Sequence, residues 1–371
     1  MEIKSAATAG MSRRQVLKAG LTTAAALAIG GPAETSAQDQ TAYTPGPRVI
    51  DIHAHYFPQA YLDLVASDGK RFDAAYYSTD KGWFIKTPAG GNGPLPTKFI
   101  DLKARIADID QQGVGVQALS LTAPMLYWGD ADLSTNLAKA WNDAATEAHR
   151  AYPTRLVAFL TLPMLHPDRA LAELERASKL PGMRGVYLGT NVSGHDLDDP
   201  LFEPVLARIE ALDLPIFLHP VETGGDRLRP FFLTNLLGNP IDTAIAACHL
   251  IFGGVLDRHP RLQICLPHGG GVLPILIGRI DQGWRTREEL KHLPQAPSSY
   301  LKRFTYDTIT HSKPIMEYVI QQVGAERIMM GSDYCFTMGY ERPVQFLEQV
   351  DLAPEHRKMI LGGNAARLLK L

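Results

Sequence analysis

A TIM (β/α)8 barrel, eight parallel strands each leading into a helix, is the fold this sequence predicts. Three observations carry the expectation. Eight short runs rich in Val, Ile, Leu and Phe recur along the chain, each ending in glycine or polar residues and followed by a segment of helical period. The runs are apolar throughout rather than alternating, so both faces are buried, as in a parallel sheet covered by helices. A length of 371 residues accommodates one such barrel with insertions. A doubly wound sheet is the alternative, but no glycine-rich dinucleotide turn follows the first strand, and Gly269-Gly270-Gly271 has the wrong spacing for one.

The first 37 residues stand apart from the fold. Ser12-Arg13-Arg14-Gln15-Val16-Leu17-Lys18 places an arginine pair ahead of an apolar run from Ala19 to Gly31, and Thr35-Ser36-Ala37 offers the small residues a signal peptidase needs. The run is about a dozen residues, short of the roughly 20 that span a bilayer. The arrangement resembles a bacterial twin-arginine export signal cleaved after Ala37, which implies a periplasmic protein exported already folded. An ordinary amphipathic N-terminus is the plainer alternative. Lys4, Arg13, Arg14 and Lys18 leave with the segment, against Glu2 and Glu34, so a net charge of −2 becomes about −4 in a mature chain spanning 38–371.

Strands are expected at 48–53, 115–121, 155–162, 184–189, 215–219, 262–268, 303–309 and 327–333, from the apolar runs there. Helical period marks 101–112, 136–150, 168–179, 200–212, 243–258 and 273–287, with Asp168 and Asp199 as N-caps and Gly113 as a helix stop. Residues 60–100 do not fit the alternation. Tyr76, Tyr77, Trp83 and Phe84 flank the turn-like Asp80-Lys81-Gly82, and 90–96 is loop-rich, so a small inserted hairpin or lid after the first strand is expected. It sits at the active-site end of a barrel, or serves as a dimer contact.

Composition narrows the function. With 45% hydrophobic and 20% charged residues the chain is neither disordered nor a membrane protein, and no membrane span is expected in the mature chain. Lys plus Arg number 37 against 39 Asp plus Glu, so no basic excess exists to neutralise phosphates, which excludes nucleic acid as the main partner. Cys248, Cys265 and Cys335 are too few and too scattered for a disulfide framework or a cysteine-rich zinc site.

The chemistry gathers at strand ends. His53-Ala54-His55 closes the first strand, and residues two apart in an extended chain point to the same side. His219 closes the fifth strand, His268 the sixth and Asp333 the eighth, which brings five groups to one mouth of the barrel. Three imidazoles and a carboxylate with one position left open suit a catalytic Zn²⁺, with Mn²⁺ possible, better than a closed structural site. The other histidines read differently. His166 is a loop residue beyond Pro163; His149, His259, His292 and His356 are solvated; His249 is packed in a helix; His195 and His311 are loop residues near strand ends. Cys335 reads as a small buried thiol, since no positive neighbour in sequence lowers its pKa.

Asp51-Ile52-His53-Ala54-His55-Tyr56-Phe57, Leu218-His219-Pro220, His268-Gly269-Gly270-Gly271 and Gly331-Ser332-Asp333-Tyr334 resemble the amidohydrolase-related metal enzymes. Within them, the closest likeness is to the aminocarboxymuconate-semialdehyde decarboxylase branch, over roughly residues 48–370, strongest from His268 through Arg279 and Asp281 to Arg285. The resemblance implies that His53, His55, His219 and Asp333 bind Zn²⁺ and that His268 is the acid/base beside a metal-bound water. It implies that Arg279 reaches a substrate carboxylate across a homodimer interface. Two features depart from that branch. No arginine lies between Arg71 and Arg105, where Lys98 is the nearest cation, and Val221 rather than tryptophan follows Pro220. The substrate pocket is therefore expected to differ.

The function expected is non-oxidative decarboxylation of a small unsaturated or aromatic carboxylic acid. Hydrolysis of a lactone or related ester uses the same groups, and a periplasmic barrel that binds a metal or ligand without turnover is the third reading.

Overall fold

The computed structural model describes residues 48–221 and 225–371. The export signal expected at 1–37 lies outside the described residues. Thirteen strands occur among those described. They are β1 (Ile50–His55), β2 (Ala75–Thr79), β3 (Gly82–Thr87), β4 (Gly90–Leu95), β5 (Val116–Ser120), β6 (Leu156–Thr161), β7 (Met183–Gly189), β8 (Asn191–Val192), β9 (His195–Asp196), β10 (Ile216–His219), β11 (Ile264–Leu266), β12 (Phe304–Asp307) and β13 (Ile328–Met329).

Eight of these form one parallel sheet in the order β1-β5-β6-β7-β10-β11-β12-β13. The sheet closes on itself. Ala54 bridges Tyr334 in parallel, the Ile52 amide donates to the Met330 carbonyl (2.9 Å), and the Asp333 amide donates to the His53 carbonyl (2.8 Å). The eight-stranded (β/α) barrel is thus present, and its strands are buried on both faces, as their unbroken apolar runs require: every residue of β1, β5, β6 and β10 is buried.

The helices that cover the sheet include α1 (Gln59–Ser67), α2 (Leu102–Gln111), α3 (Ala131–Ala151), α4 (Pro167–Ala177), α5 (Glu203–Ala211), α6 (Asn239–Phe252), α7 (Val255–Arg258) and α8 (Leu273–Thr286). Then follow α9 (Lys313–Val323), α10 (Pro343–Gln349), α11 (Pro354–Lys358) and α12 (Asn364–Leu369). Local chemistry explains their ends. Asp101 caps α2 by accepting from Lys103 and Ala104 amides, and Gly113 follows its end at φ +73°. Asp130 caps α3 through the Leu133 amide, so that helix begins five residues before its expected start at 136. Asp168 is not a cap: α4 starts at Pro167, whose fixed φ suits a first helical position, and Asp168 lies inside the first turn. Asp199 does cap, through the Leu201 amide. The helix expected over 243–258 is two, broken at Gly253 and Gly254, the latter at φ +68°.

The insertion is larger than a hairpin. It comprises α1, a 3-10 turn and the antiparallel sheet β2-β3-β4. β4 reads Gly-Gly-Asn-Gly-Pro-Leu, poor strand-forming sequence, and is extended because it pairs with β3. Among the described residues no helix is long and apolar enough to cross a membrane.

Candidate metal centre

β1 carries two of the ligand candidates. Its register against β5 shifts between Asp51 and Ala54, the stretch that includes His53. Asp51 pins that segment: its buried carboxylate accepts from the His53 amide (3.1 Å), the Ser332 amide (3.0 Å) and Gln117 Nε2 (2.9 Å), tying β1 to the 332–334 segment. Arg105, fully buried on α2, donates to the His55 carbonyl and to Gln117 Oε1 (2.8 Å), and lies over the Tyr334 ring. Asp51 and Arg105 were not singled out by the sequence reading, since their partners lie on distant elements.

His53, His55, His219 and Asp333 come together with ligand atoms all within 4.8 Å of one another, every one of the four buried. Each histidine has its Nδ1 committed elsewhere. His53 Nδ1–H donates to Asp307 Oδ2 at 2.7 Å, and His219 Nδ1–H donates to the Pro220 carbonyl at 2.8 Å. Ser120 Oγ–H donates to the Ala54 carbonyl (3.0 Å), which leaves its oxygen to accept from His55 Nδ1–H (3.2 Å). Those partners settle the tautomers. The three Nε2 lone pairs then face each other and Asp333: His55 Nε2 lies 3.1 Å from His53 Nε2 and 2.8 Å from Asp333 Oδ1. Four lone-pair donors at such distances repel unless a positive charge, a shared proton or a cation, lies among them. The donor set therefore fits a divalent metal ion.

The titration of these groups follows from that crowding. Burial pushes His55 down to about 4 and His219 well below the ordinary imidazole range, each helped by neighbouring histidines. His53 is raised instead: burial opposes its charge, but the Asp307 hydrogen bond and the charges of Asp333, Asp307 and Asp51 outweigh it. Asp333 is held below the usual carboxylate range; burial opposes this, and its hydrogen bond to His55 and the surrounding imidazoles prevail.

His268 and Asp333 lie beyond their strands rather than at the ends expected for them. β11 ends at Leu266 and β13 at Met329, and His268 (φ +55°) and Asp333 (φ +59°) follow in the left-handed region, Asp333 still donating its amide to the His53 carbonyl. Such conformations in non-glycine residues persist where surrounding bonds impose them. Asp307 supplies one: its Oδ1 accepts from the Gly269 amide at 2.9 Å and from Ile309 at 3.0 Å. Asp307 thus orients a ligand candidate with one oxygen and the His268 turn with the other. It escaped the sequence reading, although a carboxylate at the end of a barrel strand was a usable signal.

His268 stands 5.5 Å from His53 and 5.9 Å from His219, centroid to centroid. Its Nδ1 is sealed and has no partner among the described residues, and the ring opens on the cavity. Burial lowers its pKa. That cavity has two lobes, of about 370 and 230 Å³, which share His268 and Asp333. The inserted sheet supplies part of the first lobe, including Asn92, so the end of the insertion lines the cavity that the ligand candidates face.

The other residues fall where follows. Arg279 is exposed on α8 and lines neither lobe. Lys98 pairs with Asp108 at 2.6 Å outside the cavity. His259, expected in solvent, is buried, with Nε2 2.8 Å from Glu203 of α5, a partner the sequence neighbourhood does not reveal. His249 is not packed in the core but half-exposed between Asp196 and Asp198. His166 precedes α4, His195 pairs with Asp199 at 2.8 Å, and His311 lies against Tyr340 and lines the second lobe. Burial pushes the Cys335 thiol up to about 12 despite Arg105 and Lys98 nearby, in keeping with an inert thiol.

Residues 50–371 match the profile of the amidohydrolase family. The chain belongs to that family. A 2-amino-3-carboxymuconate-6-semialdehyde decarboxylase of Dictyostelium discoideum is 31% identical to this amidohydrolase over 332 residues, 87% of this chain and 91% of that protein. The crystal structure of 5-carboxyvanillate decarboxylase from Sphingomonas paucimobilis is similar with a TM-score of 0.77 at 28% identity, covering 88% of this chain and 100% of that one. A dihydroxybenzoic acid decarboxylase from Polaromonas sp., solved with bound manganese and the inhibitor 2-nitroresorcinol, has a TM-score of 0.72 at 25% identity, over 87% of this chain and 97% of that one. The amidohydrolase-related likeness of the histidine and aspartate motifs is thereby borne out.

Proposed function

We propose that this amidohydrolase is a metal-dependent, non-oxidative decarboxylase of a small unsaturated or aromatic carboxylic acid. The observation that carries the reading is the convergence of four lone-pair donors at a cavity onto which one further imidazole, His268, opens. Similarity to three proteins named as decarboxylases supports loss of CO₂ over hydrolysis of a lactone or ester. The presence of His268 beside the donors speaks against a barrel that only binds. His53, His55, His219 and Asp333 hold the ion, Zn²⁺ in this proposal, with Mn²⁺ as the alternative that the Polaromonas relative supports. When bound, such an ion supplies Lewis acidity toward an oxygen of the substrate or of water.

The chain's own groups do the rest. The bond between carbon and carboxylate breaks, its electron pair stays on carbon, CO₂ departs, and that carbon takes a proton from His268. No oxidant is required. Burial keeps His268 neutral in the free protein, and an anionic carboxylate arriving beside it raises its pKa, so the proton is acquired with the substrate. Asp333 serves twice: as a ligand, and as a charge that favours the protonated form of His268.

A homodimer is part of the proposal, with Arg279 reaching the substrate carboxylate of a second copy. Exposed Ile275 and Leu276 lie beside Arg279 on α8, and Phe231, Phe232 and Leu237 are also exposed, apolar surface of the kind interfaces cover. Light scattering that finds a fully active monomer removes it. Periplasmic export is proposed from the arginine pair, and Arg13→Lys with Arg14→Lys should hold the protein in the cytoplasm.

The decisive experiment is metal analysis of the mature protein beside Asp333→Ala, followed by assay of CO₂ release across a panel of carboxylic acids and lactones. About one ion per chain, lost in the variant, with CO₂ released from an acid, supports the reading. Lactone cleavage without CO₂ release converts the enzyme to a hydrolase, and absence of metal in both proteins ends the proposal.

A further inference from the structure

We infer that Asp242 is a positioning residue of the metal centre, which orients and polarises His219 through one intervening peptide group. The inference goes beyond the proposed reaction and rests only on that proposal's metal-holding part. It starts from a buried carboxylate that the proposed chemistry does not use. Asp242 lies in the first turn of α6 with its side chain buried. Taking a carboxylate out of water is costly unless hydrogen-bond donors replace the water, so its donors show what the charge holds. Burial pushes the pKa of Asp242 up, hydrogen bonds from Thr190 and Val221 oppose the rise, and the charge of Asp196 adds to it.

Both donors lead to His219. The Val221 amide donates to Asp242 Oδ2 at 3.3 Å, and the carbonyl of that same peptide, belonging to Pro220, accepts from His219 Nδ1–H at 2.8 Å. One peptide group is thus held at its N–H by a carboxylate and at its oxygen by a ligand candidate. Hydrogen bonds in series polarise one another, so a negative charge at the N–H makes the carbonyl oxygen a stronger acceptor. A stronger acceptor at Nδ1–H keeps the proton there and makes Nε2 a better electron-pair donor. The second donor is Thr190 Oγ–H, on the residue that follows β7, and the Thr190 amide donates to the His219 carbonyl at 2.9 Å. Asp242 therefore ties the chain just past two paired strands, β7 and β10, at the point where His219 leaves the sheet.

His53 and His219 are then served by one device at two ranges. His53 Nδ1–H meets the Asp307 carboxylate directly at 2.7 Å, whereas His219 meets the Asp242 carboxylate across one peptide. His55 has a hydroxyl instead, Ser120 Oγ at 3.2 Å. The intervening peptide weakens the carboxylate's pull without removing it, so Asp242 matters less than Asp307. α6 contributes none of the four ligand candidates, and Asp242 is how that helix acts on them.

The test reads metal binding rather than turnover. Metal-free wild type, Asp242→Asn and Thr190→Val are titrated with Zn²⁺ against a chromophoric chelator at neutral pH, and with Co²⁺ to record its visible absorption bands, while circular dichroism verifies the fold. Asparagine matches aspartate in size and can still accept from Val221, so it removes the charge and spares the geometry. Asp242→Asn is expected to weaken Zn²⁺ binding about tenfold, the low end for loss of an outer carboxylate, and to shift the Co²⁺ bands. Thr190→Val withdraws the competing donor and leaves Asp242 to Val221, so its affinity should stay within about twofold of wild type or rise. A residue that only anchored the loop would give the reverse order, with Asp242→Asn harmless and Thr190→Val harmful. Folded Asp242→Asn protein with affinity within about twofold of wild type and unshifted Co²⁺ bands overturns the inference. So does a loss of about tenfold in Thr190→Val, which decides the matter if Asp242→Asn does not fold. Wild type that takes up neither ion ends the metal reading itself, whereas wild type that binds no better than Asp242→Asn ends this inference alone.

Discussion

Replacing Asp307 by asparagine tests the metal centre without touching any of its four ligand candidates. The carboxylate accepts three hydrogen bonds: from His53 Nδ1–H at 2.7 Å, from the Gly269 amide at 2.9 Å and from the Ile309 amide at 3.0 Å. Asparagine has the same size, and its oxygen can keep the two backbone donors. Its NH₂ group then faces His53 Nδ1, so the imidazole must place its proton on Nε2, toward the other donors, or leave two donors in contact. The first choice removes one of four ligands; the second forfeits a charge-assisted hydrogen bond and adds repulsion. Loss of such an orienting carboxylate weakens metal binding between about ten- and a hundredfold, or about 1.4 to 2.7 kcal/mol. Competition against a chromophoric chelator at neutral pH measures the affinity, and circular dichroism verifies the fold. A folded Asp307→Asn protein with affinity within about twofold of wild type would falsify the assignment of His53 as a ligand held by Asp307.

Three further outcomes are expected. His268→Gln should lower the rate of CO₂ release by about 10²- to 10⁴-fold with metal content unchanged, and a milder loss would move the proton donor elsewhere. Because His53 is raised above the ordinary imidazole range while its neighbours are lowered, metal uptake at pH values below its pKa should displace a proton from it; affinity should fall about tenfold per unit below that pKa, and calorimetry at such a pH in buffers of different ionisation enthalpy that shows no proton release contradicts this. The pH dependence runs the opposite way for the metal-free fold: His53 contributes stability at pH values below its unfolded pKa, and this is lost as pH rises through the folded one. Gly271→Ala should destabilise the barrel by at least about 2 kcal/mol in urea unfolding, since Gly271 has φ +61° and a Cβ there would stand 2.1 Å from the Pro240 carbonyl oxygen. An unchanged midpoint would show that the turn after His268 is free to move.

The parts of this protein that a periodic pattern encodes were legible. Continuous apolar runs mark the eight barrel strands because burial on both faces demands them, and the His-Ala-His spacing announces two imidazoles on one side because strand side chains repeat every two residues. What periodicity does not encode was missed or misplaced. β4 is a strand only through its pairing with β3, which overrides a sequence of glycines and proline. His259 looks solvated among charged neighbours until α5 brings Glu203 to it. Asp307 and Arg105 act through partners far along the chain: Asp307 bonds His53 across 254 residues, and Arg105 bonds the His55 carbonyl across 50.

The division has a chemical meaning. His53, His55 and His219 sit on regular strands, where the hydrogen-bonded ladder holds them and the pattern betrays them. His268 and Asp333 sit at positive φ beyond the last residues of β11 and β13, and no property of a histidine or aspartate side chain reports the sign of φ. Both groups lie past the strand ends, where they line the two lobes of the cavity beside the ligand cluster. The three ligand histidines can therefore be read from strand periodicity, whereas the positive-φ departures at His268 and Asp333 cannot. Those departures are stabilised by groups such as Asp307, which ties the His268 turn and a ligand histidine to one carboxylate. Asp307→Asn should for that reason impair proton delivery as well as metal affinity, and restoring full occupancy with excess metal should leave the rate of CO₂ release below wild type.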